Sequence, residues 1–260
     1  PIGKRITVAP HPYGLAISRD GSIAVTSNCG IRPISVSIID NILGETPTVR
    51  QIPEGAQTDR GVLEAAYMGL AISPDNKTLY VAGGQEGKVF LYDINTRARI
   101  GEIHCNTTLD RAYTNTYIGD MALTRDGKTL YAVDQLNFRM LIIDTEKKKL
   151  AQSVPVGRYP FGIALSPDEK HVYVANVGMY EYKIAYTFKP NDPKEKRIHR
   201  DLFAYLSPES AAGATVDGVQ VPGLGDPLSP ESFSVFTIDV SSPQPKVVAK
   251  VKTGIQIGEL

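Results

Sequence analysis

Apolar and polar positions alternate along most of this chain in short runs separated by turn residues. The stretch "GLAISPDNKTLYVAGGQEGKVFLYD", from Gly69 to Asp93, contains three such runs, rich in β-branched and aromatic residues. Asp-Asn and glycine-rich turns divide them, and this combination is typical of β-strands joined by tight turns. No amphipathic helical pattern of useful length competes with the strands, so the sequence predicts an all-β fold.

One strand-turn-strand motif recurs four times along the chain. Its copies are "GLAISRDGS" from Gly14, "GLAISPDNK" from Gly69, "DMALTRDGK" from Asp120 and "GIALSPDEK" from Gly162. Each copy continues with two further apolar segments, and four antiparallel strands in about 40–45 residues form one propeller blade. The sequence therefore predicts a β-propeller of four-stranded antiparallel blades, with four blades visible across residues 1–260. A β-sandwich would explain the strands but not the recurrence of one motif.

Two segments of the repeat point to a known family. "LAISPDNKTLYVAGG" and "IALSPDEKHVYVANVG" resemble the YVTN-type β-propeller repeat of surface-layer and periplasmic proteins. The resemblance covers nearly the whole chain outside one long insertion, and it implies a periplasmic or cell-surface location. Members of this family include binding proteins, lactonase-like enzymes, dehydrogenase subunits and propellers fused to phosphoesterases, so the resemblance specifies the fold better than the function.

The number of blades raises the question of closure. The first residues, "GKRITVAPHPYG", resemble "AQSVPVGRYPFG" from Ala151, and we interpret them as the outer strand of a preceding blade. Members of the resembled family usually close with seven blades, and an open arc of four would expose a long apolar face. We therefore expect a partial ring, the N-terminal part of a larger propeller, completed by further residues or by a second chain.

The long connections are predicted to lie on one face of the propeller. This loop face carries the linkers between blades and the loops between the second and third strands of each blade. Two linkers are long, residues 54–66 and 105–116, and one loop is expanded to residues 177–231. Variable loops on one side of a rigid scaffold are typical of a binding surface, so we expect a ligand or protein partner there. The alternative is that these loops only pack over the scaffold.

Candidate binding residues come from three groups on the loop face. Aromatic residues recur just before the first strand of each blade, where they either wedge between blades or line the channel mouth. Arginines and neighbouring polar residues could converge on an anion, since guanidinium binds carboxylate or phosphate with two hydrogen bonds, or could form ordinary salt bridges. Two insertion tyrosines share one face of a ribbon with period two, which would either stack on a ligand or be buried. The predicted ligand-binding residues are Tyr13, Arg60, Tyr67, Arg111, Tyr117, Asp134, Asn137, Arg139, Arg158, Tyr159, Tyr180 and Tyr182.

Composition narrows the function further. The net charge is zero, from 28 basic and 28 acidic residues, which argues against nucleic acid as a partner. No apolar run of about 18 residues predicts a membrane span. The two cysteines, Cys29 and Cys105, favour free thiols over a disulfide because they lie at different radii of the propeller. No catalytic residue, metal ligand set or cofactor motif is recognised.

Two hypotheses of function remain open from the sequence. The first is a non-catalytic exported propeller that binds a ligand or protein partner on its loop face. The alternative is part of a propeller enzyme or enzyme subunit of phosphoesterase-fused, lactonase-like or dehydrogenase type, with a hydrolase favoured.

Overall fold

Four four-stranded antiparallel sheets form the framework of the protein and confirm the predicted β-propeller fold. The computed structural model describes residues 3, 5–30, 33–54, 63–107, 115–181, 207–216 and 218–254. In order from the inner to the outer strand, blade 1 is β1 (Pro12–Ile17), β2 (Ile23–Asn28), β3 (Ser35–Asp40) and β4 (Thr48–Ile52). Blade 2 is β5 (Leu70–Ile72), β6 (Thr78–Ala82), β7 (Lys88–Asp93) and β8 (Arg99–His104).

The other two blades follow the same plan, with one insertion. Blade 3 is β9 (Ile118–Leu123), β10 (Thr129–Asp134), β11 (Arg139–Asp144) and β12 (Lys149–Pro155). Blade 4 begins with β13 (Pro160–Leu165) and β14 (His171–Asn176). The insertion then contributes a short helix, α1 (Pro208–Ala212), and a hairpin of β15 (Gly213–Val216) and β16 (Val219–Pro222). Blade 4 is completed by β17 (Ser234–Asp239) and β18 (Lys246–Lys252).

The turn between the first two strands has the same hydrogen bond in every blade. A hydroxyl donates to the carboxylate two residues later at 2.6–2.7 Å: Ser18 to Asp20, Ser73 to Asp75, Thr124 to Asp126 and Ser166 to Asp168. In Asp20, Asp75 and Asp168, the hydroxyl hydrogen bond is the largest of the causes that lower the pKa of the carboxylate. The repeated sequence therefore encodes one turn that is stabilised in the same way four times.

Neighbouring blades are held together by apolar cores between their sheets. Between blades 1 and 2 the core includes Val25, Ile38, Leu79 and Phe90. The equivalent core between blades 2 and 3 includes Ala82, Ile103, Leu130 and Leu141. The core between blades 3 and 4 includes Tyr131, Met140, Val174 and Phe236. Because both faces of a middle blade are covered, its second and third strands are apolar at nearly every position rather than alternating.

The inner strands approach one another closely at a small residue of the repeat. A Cβ added at Gly14 would lie 1.9 Å from the carbonyl oxygen of Met68, at the start of blade 2. A Cβ at Gly69 would lie 2.3 Å from the carbonyl oxygen of Gly119 in blade 3. At the same repeat position of blade 4, a Cβ on Gly162 would meet only the Cβ of Ala175, at 3.9 Å. Glycine at the first two positions therefore permits backbone contact between blades.

The outer faces of the first and last blades are partly open. In β1, Leu15 and Ile17 are 65% and 57% exposed on the face that points away from blade 2. In blade 4, Tyr173 is exposed on the face that points away from blade 3. Described residues 5–11 pair with none of the strands of the four described blades, and the Ala9 amide donates to the Ser37 hydroxyl of blade 1. Their assignment as the outer strand of a preceding blade stays a prediction.

Candidate functional site

Tyrosines from different blades come together at the channel mouth on the loop face. Tyr117 and Tyr159 each precede an inner strand, and each carbonyl accepts a hydrogen bond from the first residue after the second strand of the same blade. The donors are the amides of Gln135, at 3.0 Å, and of Val177, at 3.1 Å. Backbone pairing therefore fixes where these rings leave the sheet.

The rings of Tyr67 and Tyr117 make an edge-to-face contact. Their centroids are 5.1 Å apart and the ring planes are inclined by 88°. Burial, followed by the nearby Tyr67 and Tyr159 hydroxyls and the Cys29 thiol, raises the pKa of Tyr117 to about 12. Burial is also the largest cause that raises the pKa of Tyr67, and the nearby Tyr159 hydroxyl is the next. Both phenols are therefore neutral hydrogen-bonding groups at neutral pH.

Replacing Tyr117 by phenylalanine will reduce the loss of stability at alkaline pH. A phenol whose pKa is raised on folding stabilises the native state below the pKa of the unfolded chain, about 10. That contribution is lost as the pH rises from there through the folded value of about 12. We expect the midpoint urea concentration for denaturation to fall as the pH is raised from 9 to 11.5. This fall should be larger for the native protein than for Tyr117→Phe. Equal falls would show that Tyr117 ionises as in the unfolded chain.

A pocket of about 690 Å³ opens beside these tyrosines, between blades 3 and 4. We call it the channel pocket, and its wall is aromatic and apolar with few polar groups. Its lining residues are Tyr117, Gln135, Leu136, Phe138, Tyr159, Val177, Gly178, Met179 and Glu181. Concave, largely apolar sites with a few placed polar groups are typical of small-molecule binding.

Gln135 is the unusual polar group of the channel pocket. Its side chain is 2% exposed, and neither the amide oxygen nor the amide nitrogen has a hydrogen-bond partner in the described part of the chain. The amide lies beside the Tyr67 hydroxyl, and this contact opposes the rise in the pKa of that phenol that burial causes. A buried amide left without partners is rare in folded proteins and calls for an explanation.

A buried ion pair lies behind the wall of the channel pocket. Arg139 donates from Nε to Asp134 Oδ2 at 2.7 Å, and both side chains are almost fully buried. Its two Nη atoms donate to the hydroxyls of Thr107, at 2.8 Å, and Thr116, at 3.1 Å. The Asn137 amide donates to Asp134 Oδ2 at 2.7 Å. The network therefore joins the hairpin of blade 3 to the linker that precedes it.

The same carboxylate orients the pocket residues on either side. Asp134 Oδ1 accepts hydrogen bonds from the backbone amides of Tyr117, at 3.0 Å, and Leu136, at 3.2 Å. Asp134 and Arg139, expected from the sequence at a ligand site, are thus paired with protein groups, and so is the side-chain nitrogen of Asn137. The side-chain oxygen of Asn137 is buried without a partner in the described part of the chain. These three residues position the pocket wall and do not line it.

Arg158 fixes the two ends of the blade 4 insertion to the neighbouring linker. Its side chain is buried, and Nη1 donates to the carbonyl of Met179 at 2.7 Å, to the carbonyl of Asp226 and to the Ser232 hydroxyl at 3.1 Å. Nη2 pairs with Glu181 Oε1 at 2.9 Å. This arginine therefore builds one side of the channel pocket from segments far apart in sequence.

The remaining predicted residues differ in how far the structure describes them. Tyr13 is exposed beside the tyrosine group, whereas Tyr180 is 1% exposed, and its hydroxyl lies 3.2 Å from that of Ser210 in α1. Tyr180 thus follows the buried alternative for the insertion tyrosines. Arg60, Arg111 and Tyr182 lie outside the described residues.

Sequence reasoning did not single out Gln135, although the repeat marks its position. It is the first residue after the second strand of blade 3, which corresponds to Cys29 in blade 1 and Val177 in blade 4. In every blade, that position is the first residue of the loop that joins the second and third strands on the loop face. An alignment of the four copies would therefore have drawn attention to it. Its lack of partners could not have been read from the sequence.

Comparisons with known proteins support a β-propeller family. A family model described as "Lactonase, 7-bladed beta-propeller" matches residues 68–179, which run from the start of blade 2 into the blade 4 insertion. The adipocyte plasma membrane-associated protein of Rattus norvegicus is 25% identical over 189 residues, covering 66% of this chain and 44% of the relative. The protein of the same name from Danio rerio is 29% identical over 136 residues, covering 45% and 31%. The chain spans less than half the length of these curated relatives.

A solved structure supports the same fold. Hydrazine synthase of Kuenenia stuttgartiensis superposes with a TM-score of 0.55 and 20% identity, over 96% of this chain and 51% of that chain. At this identity the likeness concerns the fold alone. The resemblance to the YVTN type stays a prediction.

Two further observations apply to the described residues. Within them, no helix has the length and apolar character needed to cross a lipid bilayer. In the same ranges, no group of three or more His, Cys, Asp or Glu side chains is arranged to hold a metal ion. Both cysteines are free thiols, and burial raises the pKa of Cys105 to about 12.

Proposed function

We propose that this chain is the propeller part of an exported, non-catalytic binding protein, and that its ligand occupies the channel pocket. The observation that carries the proposal is the concave pocket of about 690 Å³ whose wall includes the rings of Tyr117, Phe138 and Tyr159. Concave, largely apolar sites with a few polar groups are the usual binding sites for small molecules.

Replacing Gln135 by leucine will stabilise the empty protein. The substitution removes the unpartnered amide and keeps a side chain of similar size, so the free energy of unfolding should rise by about 1 kcal/mol. Urea denaturation monitored by circular dichroism measures the change. Gln244→Leu is the matched control, since Gln244 is exposed, and it should change stability by less than about 0.5 kcal/mol. A Gln135→Leu protein less stable than the control would mean that the amide is satisfied in the native state.

The ring is proposed to extend beyond the four described blades. Support comes from the exposed apolar side chains Leu15 and Ile17 of blade 1, and from the open space at Gly162 of blade 4. The remaining blades, from further residues or a second chain, would cover both faces as the middle blades are covered. A periplasmic or cell-surface location is part of the proposal, supported by the family resemblance.

Hydrolysis of a lactone is a second candidate function, favoured by the family model that matches residues 68–179. Glu181 is the carboxylate that lines the channel pocket, and it is paired with Arg158. A pH-stat assay with simple lactones distinguishes the candidates. The binding proposal expects no rate above that of the buffer, and a rate abolished by Glu181→Gln would favour the enzyme.

A further inference from the structure

We propose that the ligand of the channel pocket is an organic cation, with a substituted ammonium group on an apolar body. This inference rests on the proposed function and names the class of ligand for the same site. It follows from the sign of the charge at the pocket wall, from the aromatic rings of that wall and from the contacts that hold the rings in place.

The charge that the wall of the channel pocket presents to a ligand is negative. Among its described lining residues, Glu181 supplies a carboxylate, and none is lysine, arginine or histidine. The Glu181 side chain is 33% exposed, whereas that of its partner Arg158 is 3% exposed. A ligand in the pocket therefore meets the carboxylate, while the guanidinium lies behind the wall.

The Arg158 guanidinium is engaged mainly by oxygen atoms of the protein. Its Nη1 donates to the carbonyls of Met179, at 2.7 Å, and Asp226, and to the Ser232 hydroxyl at 3.1 Å. Only Nη2 is directed at Glu181. An anionic ligand would thus lose its hydration beside a carboxylate without meeting a basic side chain at the wall, which is costly in a largely apolar site. The pocket therefore disfavours an anion.

Aromatic rings supply a second attraction for a cation. Tyr117, Phe138 and Tyr159 line the channel pocket, and the two tyrosines give most of the accessible ring surface, since Phe138 is only 6% exposed. The face of an aromatic ring carries partial negative charge and attracts an ammonium group within about 6 Å of its centre. Aromatic side chains recognise quaternary ammonium ligands in this way. A neutral molecule of the same shape would gain the apolar contact but not this attraction.

The two tyrosines are held in place by contacts within the protein. A Cβ added at Gly178 would lie 2.7 Å from the Cβ of Tyr159, so glycine lets the insertion lie directly against the linker. Tyr117 is fixed by its edge-to-face contact with Tyr67 and by the hydrogen bond from its amide to Asp134. A site whose walls are already ordered loses less conformational entropy when a ligand binds.

The test compares three probes of similar shape on the whole chain. They are (4-hydroxyphenyl)trimethylammonium, a cation, 4-tert-butylphenol, which is neutral, and 4-hydroxybenzenesulfonate, an anion. The chain has four methionines, so ¹³C-methyl labelling gives a simple spectrum, in which the Met179 signal is the one missing from Met179→Leu. The cation should shift this signal and bind about fivefold more tightly than the neutral probe, with the anion weakest. The buried Met140 is the internal control and should not shift.

Two variants separate the charge of the wall from its shape. Glu181→Gln should weaken binding of the cation about fivefold more than binding of the neutral probe. Glu209→Gln is the matched control, since Glu209 is exposed in α1 and does not line the pocket, and it should change neither affinity. Tyr159→Leu removes a ring face and should also weaken the cation more than the neutral probe. This second variant keeps the inference testable if Glu181→Gln does not fold.

The outcomes distinguish the ligand class from the proposed site. If the three probes shift the Met179 signal with equal affinity, or the neutral or anionic probe binds most tightly, the cation inference is wrong and the binding pocket remains. If none of the probes shifts the Met179 signal at millimolar concentration, both the inference and the proposed function are wrong.

Discussion

Replacing Arg139 by methionine will lower the free energy of unfolding by about 3–5 kcal/mol, because it leaves the Asp134 carboxylate buried without its opposite charge. The Arg139 side chain is 1% exposed and donates to Asp134, Thr107 and Thr116, so three acceptors lose a partner at once. Urea denaturation at neutral pH measures the loss. The effect should extend to ligand binding, since Asp134 orients the backbone at Tyr117 and Leu136.

Two further variants make this result specific. Arg19→Met removes an exposed arginine and should change stability by less than about 0.5 kcal/mol. Arg139→Lys keeps the charge but cannot reach three acceptors with a planar fork, so its stability should fall between the native protein and Arg139→Met. If Arg139→Met is as stable as Arg19→Met, the buried network does not hold the blade 3 hairpin to its linker.

Replacing Gly69 by alanine will destabilise the protein by about 3 kcal/mol or more, because no space exists for a methyl group between blades 2 and 3. The new Cβ would lie 2.3 Å from a backbone oxygen of Gly119 and 2.9 Å from Cγ of Met121. Backbone cannot move away as a flexible side chain can, so the inner strands must separate. Thermal or urea unfolding followed by circular dichroism gives the size of the effect.

Gly162→Ala is the matched control for Gly69→Ala, since it changes the same repeat position in blade 4. Its Cβ would meet only the Ala175 Cβ, at 3.9 Å, so this variant should be neutral or slightly more stable. Equal destabilisation of the two variants in this chain would contradict the described packing. In a protein with a further blade against blade 4, Gly162→Ala should become as costly as Gly69→Ala.

The fold could be predicted because its information is local and repeated. A hydroxyl and an aspartate recur in four turns, as in Ser73 and Asp75, and the residue after the aspartate has a positive φ. That residue is glycine or asparagine in three of the turns and Glu169 in the fourth. The tyrosines before the inner strands could be placed on the loop face for the same reason. Repetition fixes the strand order, and strand order fixes which loops share a face.

The candidate site could be predicted only in part, because its details depend on contacts between distant segments. The pairing of Asp134 with Arg139 follows the hairpin register, but its burial depends on Thr107 and Thr116 in the preceding linker. Arg158 likewise meets Asp226 and Ser232 across more than sixty residues, at separations of 68 and 74 positions. No local pattern distinguishes such an arginine from one that is free to bind an anion.

The insertion shows a different limit of sequence reasoning. Its segment from Ser207 is rich in proline, glycine and serine, and that composition favours irregular structure. The structure instead places α1 and the β15–β16 hairpin there. The Ser207 hydroxyl caps α1 by accepting from the Ser210 amide at 3.1 Å, and the buried Tyr180 packs beside it. Regular structure therefore forms in a segment whose composition alone does not predict it, and Tyr180 packs against that structure.

The central claim is that a ligand binds in the channel pocket, and crystallographic screening with small aromatic molecules tests it most directly. Crystals of the whole chain would be soaked with aromatic ammonium ions and with matched phenols and sulfonates. We expect density for a bound aromatic molecule between Tyr117 and Tyr159. Density confined to the opposite face of the blades, with the channel pocket empty in every soak, would contradict the proposal.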